Sequence, residues 1–321
     1  MSRQKVVFLD AATYGDISLS SFSDRWDCTI HQITSASETG RRLDGQLVAV
    51  TNKVVIDRSV LSSAKQLQLI AVAATGTDII DREAAKDYGV RVCNVPGYAT
   101  HSVAQFTLAL ILELATRAAR YHTAVRADAW QKSPVFTLLD FPTIELKAKK
   151  LGIIGYGNIG RTVEKMARGF GMEILIAARP GSSGTTASGR LPLDELLQRA
   201  DVITLHCPLT PQTQFLINAE TLSLMKPTAI LVNTARGGLI DELALIQALR
   251  ERRLAAAALD VISEEPPPPK HPVIEAAKEL DNLVVTPHTA WSTREARKRL
   301  LGEVANNITA FFEGTPRNIV I

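Results

Sequence analysis

Short runs of aliphatic and β-branched residues recur along the chain, each followed by a longer stretch with apolar positions at helical spacing. The first set of runs is Val6 to Leu9, Leu47 to Thr51, Leu69 to Ala73 and Val90 to Cys93. Runs so short and so continuously apolar suit strands buried on both faces, and their alternation with helical stretches predicts parallel βαβ winding. After Pro96 and Gly97, the segment Ala99 to Tyr121 carries Val103, Leu110, Leu114 and Ala118 near a helical period and predicts a connecting helix. A second series then begins: Leu151 to Ile154, Ile174 to Ala177, Val202 to Leu205, Ile230 to Asn233, Ala257 to Val261 and Leu283 to Thr286. That series suits a dinucleotide-binding sheet. From Arg294 to Phe312 the residues Ala296, Leu300, Val304, Ile308 and Phe311 fall at three-to-four-residue steps, so the tail predicts one amphipathic helix that packs back on the first unit. Pro266 to Pro269 can continue neither helix nor ladder and predicts an extended loop of polyproline type.

The two series predict an α/β fold with two doubly wound parallel-sheet domains, and the 321 residues are enough for two cores. The expected division is a discontinuous domain of residues 1–100 and 291–321 around a second domain of residues 101–290. Hydrophobic residues make up 46% and charged residues 21%, values that point away from a disordered or membrane protein. The formal charge of +3 comes without a dense Lys/Arg block, so neither nucleic acid nor a membrane surface is an expected partner. Cys28, Cys93 and Cys207 lie far apart with no C-x-x-C spacing, which predicts neither a disulfide framework nor a metal site and fits a reducing compartment. Val6 to Leu9 is shorter than the roughly 7 to 15 residues of a signal-peptide core. The longer run Thr107 to Leu114 contains Glu113 and falls short of the roughly 20 residues of a membrane span. A cytoplasmic protein is expected.

The candidate strand Leu151 to Ile154 leads directly into Gly155-Tyr156-Gly157-Asn158-Ile159-Gly160, and Val163, Met166, Ala167 and Phe170 follow at helical spacing. Strand, glycine turn, helix and second strand in this order predict a pyrophosphate site at a helix N-terminus. NAD-type sites carry an acid about 20 residues on, at the end of the second strand, for the ribose 2′-hydroxyl. Here the stretch ends in Ala177-Ala178-Arg179-Pro180, with Ser182 and Ser183 beyond. An acid would repel a 2′-phosphate, whereas Arg179 pairs with one and the two serines add donors, so NADP is expected ahead of NAD.

Three further residues follow strands of the same sheet: Arg236 in Asn233-Thr234-Ala235-Arg236-Gly237-Gly238, Glu265 after Asp260 and Val261, and His288 in Thr286-Pro287-His288-Thr289-Ala290-Trp291. In open α/β sheets the ligand crevice lies beyond the carboxyl ends of the strands. An Arg there offers a planar fork to a carboxylate, and a His gives or takes a proton near neutral pH. A neighbouring acid favours the imidazolium. His206 also ends a strand without such company, while His31, His101, His122 and His271 read as surface or packing residues.

From about Leu47 to the C-terminus the chain resembles the D-isomer-specific 2-hydroxyacid dehydrogenases. The resemblance rests on Ala73 to Asp78, Asn94 to Tyr98, the glycine turn, His206-Cys207-Pro208-Leu209, Asn233 to Gly238, Leu259 to Val261 with Glu265-Pro266, and Pro287-His288. It implies a flavodoxin-like substrate domain beside a Rossmann dinucleotide-binding domain. Arg236 would bind the substrate carboxylate and polarise the keto group, His288 would be the acid/base, and Glu265 would hold and tune the imidazole. Thr75 and Gly76 would form a loop over the carboxylate. Asn158 and Ile159 would meet the pyrophosphate, Cys207, Pro208 and Thr213 would border the adenosine, and Thr234, Ala235 and Asp260 would approach the nicotinamide. A homodimer joined through the nucleotide domain is implied as well.

Within the family, the segments Ala71 to Thr77, Ser133 to Phe136 with Leu139 to Pro142, and His288 to Trp291 look most like the glycerate dehydrogenase and hydroxypyruvate reductase group. The expected reaction is reduction of a small 2-oxo acid of the hydroxypyruvate or glyoxylate type. The alternatives are another 2-hydroxy acid on the same machinery, or a non-catalytic dinucleotide-sensing regulator.

Overall fold

The structure is a computed structural model and describes residues 3–179 and 189–321. The chain divides into two compact units, Met1–Ala99 with Ser292–Ile321, and Thr100–Trp291. Each is wound around its own parallel sheet.

The first unit carries β1 (Lys5–Phe8), β2 (Asp27–Ile30), β3 (Val48–Thr51), β4 (Leu69–Val72) and β5 (Arg91–Cys93) in the order β2-β1-β3-β4-β5, all parallel. This is the flavodoxin-like order, with the direction of winding reversed between β1 and β3. Four of these strands are the apolar runs of the sequence. The fifth, β2, is not among the expected strands: it is an edge strand, its residues Asp27, Thr29 and Ile30 are exposed, and an edge needs no continuous apolar run. The chain end lies along the other edge, where the amide of Val320 donates to Val92 O at 2.8 Å and Ile319 pairs antiparallel with Cys93.

The tail forms one helix, Arg294–Phe312, started by Thr293, whose hydroxyl oxygen accepts from the amide of Ala296 at 3.3 Å. It buries Ala296, Leu300, Leu301, Val304 and Ile308 within the first unit, and Asn307 on that face donates to Asn94 O at 2.9 Å.

The second unit contains β6 (Lys150–Ile154), β7 (Glu173–Ile176), β8 (Val202–Leu205), β9 (Ile230–Asn233), β10 (Ala256–Leu259) and β11 (Leu283–Val285), ordered β11-β10-β9-β8-β6-β7. Leu191 extends the far edge by a single parallel bridge to Ala177, in the place where the doubly wound pattern has a third strand. Because side chains alternate across a strand, the sheet buries both faces. Leu151, Ile153, Val202, Ile230 and Val232 pack with Ile111, Leu114, Val163 and Ala167 on one side. Ile154, Ile203, Leu205, Leu231 and Leu259 pack with Leu196, Leu197, Leu245 and Leu249 on the other.

The connecting helix is two helices, Thr100–Thr116 and Ala118–Arg126. Arg117 adopts a φ of 57° between them, and the axes bend by 57°. Glu113 supplies a carboxylate that accepts from the amide of Ala119 at 3.2 Å, so the second helix restarts on a side chain of the first. The Pro266 to Pro269 run lies in neither helix nor strand, and a turn at residues 269–270 ends it. Among the described residues no single helix is long and apolar enough to cross a membrane.

Candidate active site

The winding of the second sheet reverses between β6 and β8, and the glycine turn sits there. Gly155 follows β6 with a φ of 99°, and a Cβ on it would lie 2.3 Å from the amide nitrogen of Cys207, the second residue after β8. No side chain fits between the two strand ends. A Cβ on Gly160 would meet Gly155 O at 2.3 Å, which draws the helix Asn158–Arg168 tightly onto the turn. Around Gly157, by contrast, the space where a Cβ would stand is open. Gly157 caps that helix without a side-chain acceptor, which leaves its first amides, those of Asn158 and Ile159 among them, without an intrahelical acceptor. An open cradle lined by helix-terminal donors fits the pyrophosphate of a dinucleotide.

His206 and Cys207 close the far side. Burial pushes the Cys207 thiol up to about 11 and holds the His206 imidazole down at about 3. His206 Nε2 lies 3.0 Å from the Thr204 hydroxyl, while Nδ1 is shut off from solvent with no partner among the described residues. Thr213 is buried and knits the following loop, donating to Pro208 O at 2.7 Å and accepting from the Thr210 amide at 2.8 Å.

Ala178-Arg179, the segment expected to choose between NADP and NAD, follows the bridge of Ala177 with Leu191. Arg190 precedes Leu191, and its guanidinium lies 5.8 Å from the centroid of the Tyr156 ring, with Arg161 at 6.0 Å from the same ring. Sequence reasoning does not single out Arg190, because only the pairing of Leu191 with Ala177 returns it to the turn. Ser182 and Ser183 lie outside the described residues.

The three candidate chemistry residues stand at the carboxyl ends of β9, β10 and β11. His288 Nδ1 lies 2.5 Å from Glu265 Oε2, and Glu265 Oε1 accepts from the Ile262 amide at 3.0 Å. Both carboxylate oxygens are therefore engaged, one orienting the imidazole and one fixing the acid's own loop. The two side chains keep 25% and 28% exposure, so the pair is open to a ligand.

Arg236 lies in an extended conformation and donates through Nη1 to Ala235 O at 2.8 Å. Buried Asn233 shapes its turn, donating to Arg236 O at 2.8 Å and accepting from the Ala235 amide at 3.0 Å. Thr234 is buried with its hydroxyl 3.0 Å from that of Thr107.

Asp260 has a part that the sequence reading does not anticipate. It is 1% exposed, its carboxylate accepts from the Thr286 hydroxyl at 2.6 Å and from the amides of Thr289 and Ala290 at 2.9 Å each, and its carbonyl accepts from the His288 amide at 2.8 Å. It is the clamp on the His288 loop. Its place within the conspicuous Leu259-Asp260-Val261 motif is the only signal of this in the sequence.

Thr75 and Gly76 belong to the first unit. The Thr75 hydroxyl donates to Val95 O at 2.9 Å, and Asn94 Nδ2 donates to Thr75 O at 2.7 Å, so the loop after β4 is pinned to the one after β5.

A doubly wound sheet with an open phosphate turn at its reversal point, and a His–Glu pair with an Arg at its other strand ends, defines a dinucleotide-dependent oxidoreductase. Residues 108–290 match the family described as D-isomer specific 2-hydroxyacid dehydrogenase, NAD binding domain. The chain is 40% identical over 318 residues to the glycerate dehydrogenase of Methylorubrum extorquens, covering 99% of each. It is 36% identical over 323 residues to the hydroxypyruvate reductase of Blautia hydrogenotrophica, covering 98% of this chain and 99% of that one. The solved structure of the TT0316 protein from Thermus thermophilus superposes with a TM-score of 0.86 at 35% identity, covering 99% of this chain and 100% of the other. The chain belongs to the D-isomer-specific 2-hydroxyacid dehydrogenase family.

Proposed function

We propose that the protein reduces a small 2-oxo acid of the hydroxypyruvate or glyoxylate type to the D-2-hydroxy acid, using NADPH in preference to NADH. The contact of His288 Nδ1 with Glu265 Oε2 at 2.5 Å carries the reading. When bound, the nicotinamide supplies the hydride that arrives at C2. With Nδ1 engaged, Nε2 of His288 gives the proton to the developing alkoxide, and the carboxylate stabilises the imidazolium needed for that step. Arg236 holds the substrate carboxylate through its planar fork and polarises the keto oxygen. Thr100–Trp291, which carries the glycine turn and the His288–Glu265 pair, is the dinucleotide domain, and the other unit, with the loop of Thr75 and Gly76, is the substrate domain. The named relatives support the substrate class.

The NADPH preference is supported by Ala178, which leaves no acid at the ribose, and by the cations Arg179 and Arg190 on either side of the Ala177–Leu191 bridge. A homodimer is supported by an apolar surface beyond the helix Ala118–Arg126, where Val135, Phe136 and Leu139 are 58%, 90% and 81% exposed beside Trp130. The three free thiols support a reducing, cytoplasmic setting.

Initial rates with a panel of 2-oxo acids and both cofactors test the reading. Turnover of hydroxypyruvate or glyoxylate, with a higher kcat/KM for NADPH, is expected; an absence of turnover with every acid would mark a dinucleotide-sensing protein instead. His288→Gln keeps cofactor binding and lowers kcat by roughly 10²- to 10⁴-fold. Unchanged kcat removes His288 from its role.

A further inference from the structure

We infer that Glu242 is a positioning residue for the His288–Glu265 pair, acting through the main chain of the Glu265 loop. The inference rests on the reading of His288 as the proton donor. Glu242 opens the helix Glu242–Arg250, directly after the Arg236 turn. Its carboxylate reaches across to the next strand end, where Oε1 accepts from the amide of Ser263 at 2.6 Å and Oε2 accepts from the Ser263 hydroxyl at 2.8 Å. The neighbouring amide, that of Ile262, is the one that donates to Glu265 Oε1. Two consecutive amides of one loop are thus held by two different carboxylates, one belonging to the acid/base pair and one to the Arg236 side.

The second of these peptides, Ile262–Ser263, is gripped from another direction as well. A Cβ on Gly237 would lie 2.0 Å from the Ile262 carbonyl carbon and 2.4 Å from the Ser263 nitrogen. The residue after Arg236 therefore rests flat against the Ile262–Ser263 peptide, and only glycine permits that approach. Gly237 sets the spacing between the two loops, and Glu242 fastens it. Among the described residues the other titratable group facing Glu242 is His271, 5% exposed, with Nε2 at 3.6 Å from Glu242 Oε2. His271 Nδ1 accepts from the Val273 amide at 3.3 Å, which places the ring proton on Nε2, toward Glu242. His271 therefore backs the acid from behind while capping the helix Pro272–Glu279.

The consequence is kinetic. Without Glu242 the Ser263 amide loses its acceptor, the Ile262–Ser263 peptide is released, and the adjoining Val261–Ile262 peptide, whose amide aims Glu265 at His288, loses its fixed neighbour. Misplacement of a catalytic partner by about 1 Å costs on the order of 100-fold. The loss falls on proton transfer, so kcat drops while KM for the oxo acid stays near the wild-type value.

The experiment is the separate measurement of kcat and of KM for glyoxylate and hydroxypyruvate in wild type, Glu242→Ala, Glu242→Gln and His288→Gln, with Tm and NADPH affinity measured on each. Glu242→Ala is expected to lower kcat roughly 10- to 100-fold, with KM for the oxo acid and NADPH affinity unchanged. Glu242→Gln retains an acceptor for the Ser263 amide and restores kcat. Should Glu242→Ala not fold, Glu242→Asp, which retracts the carboxylate by one methylene, is expected to lower kcat in the same way. A wild-type kcat in Glu242→Ala or Glu242→Asp, or a Glu242→Gln enzyme as slow as the alanine variant, overturns the inference while inactive His288→Gln keeps the acid assignment. Wild-type kcat in His288→Gln overturns both.

Discussion

The amide of His288 donates to the carbonyl of Asp260 at 2.8 Å, so the candidate proton donor and the buried acid behind it belong to one hydrogen-bonded corner. The Asp260 carboxylate completes that corner by taking the amides of Thr289 and Ala290. Asp260→Asn keeps the shape but turns an NH₂ toward one of those amides. A buried donor left without an acceptor costs about 1–3 kcal/mol. Chemical denaturation should show that loss, and kcat should fall with it, because the loop carrying His288 loses half its clamp.

Gly155→Ala tests the phosphate turn. At a φ of 99°, with Cys207 N 2.3 Å from the added Cβ, the substitution forces β6 and β8 apart at their ends. A destabilisation of roughly 3 kcal/mol is expected, with loss of binding of the reduced dinucleotide measured by its fluorescence. Gly157→Ala, where the space is open, should fold with near-native Tm and weaken only the dinucleotide.

The thiols separate by burial. Cys207 is held near 11 and Cys93 near 12, both by desolvation, so at pH 8 about one Cys207 in a thousand is thiolate. Cys28 is half-buried, although burial raises it too. Reaction of the native protein with a disulfide reagent should label Cys28 first, and all three should react together in denaturant. Equal rates for the three in the native protein would contradict this ordering.

His206 gives a pH dependence of stability whose sign follows from burial. Its folded value of about 3 lies below the ordinary 6.5, so the unfolded chain binds more protons between those values. Stability contributed by this site is therefore full above pH 6.5 and is lost as pH falls toward 3, by at most about 1.4 kcal/mol per pH unit. Between pH 7 and pH 5 the loss amounts to roughly 2 kcal/mol. Urea titrations of wild type and His206→Gln should show a shallower decline in the variant; parallel curves would mean that His206 stays solvated.

Most of the two sheets is legible in the sequence because parallel strands buried on both faces must be apolar throughout, as Ile230–Asn233 and Val202–Leu205 are. The edge strand Asp27–Ile30 is not, since much of its surface faces solvent and no pattern survives there. Arg117 interrupts a helix without Gly or Pro, and only the backbone shows it. Arg236, Glu265 and His288 can be picked out as candidates because the ends of parallel strands are where this architecture places its chemistry. Glu242 cannot: an acid in the first turn of a helix reads as a charge on the helix dipole, and its bond to Ser263 joins residues 21 apart in sequence. His271 reads as a packing residue, and its place behind Glu242 emerges only when the two loops are brought together.

Arg236, Glu265 and His288, with the glycine turn, all fall between Thr100 and Trp291, while the loop of Thr75 and Gly76 comes from the other unit. The candidate proton donor, its supports and the dinucleotide turn are thus inherited as one uninterrupted stretch of gene, set into a unit that is assembled from both ends of the chain.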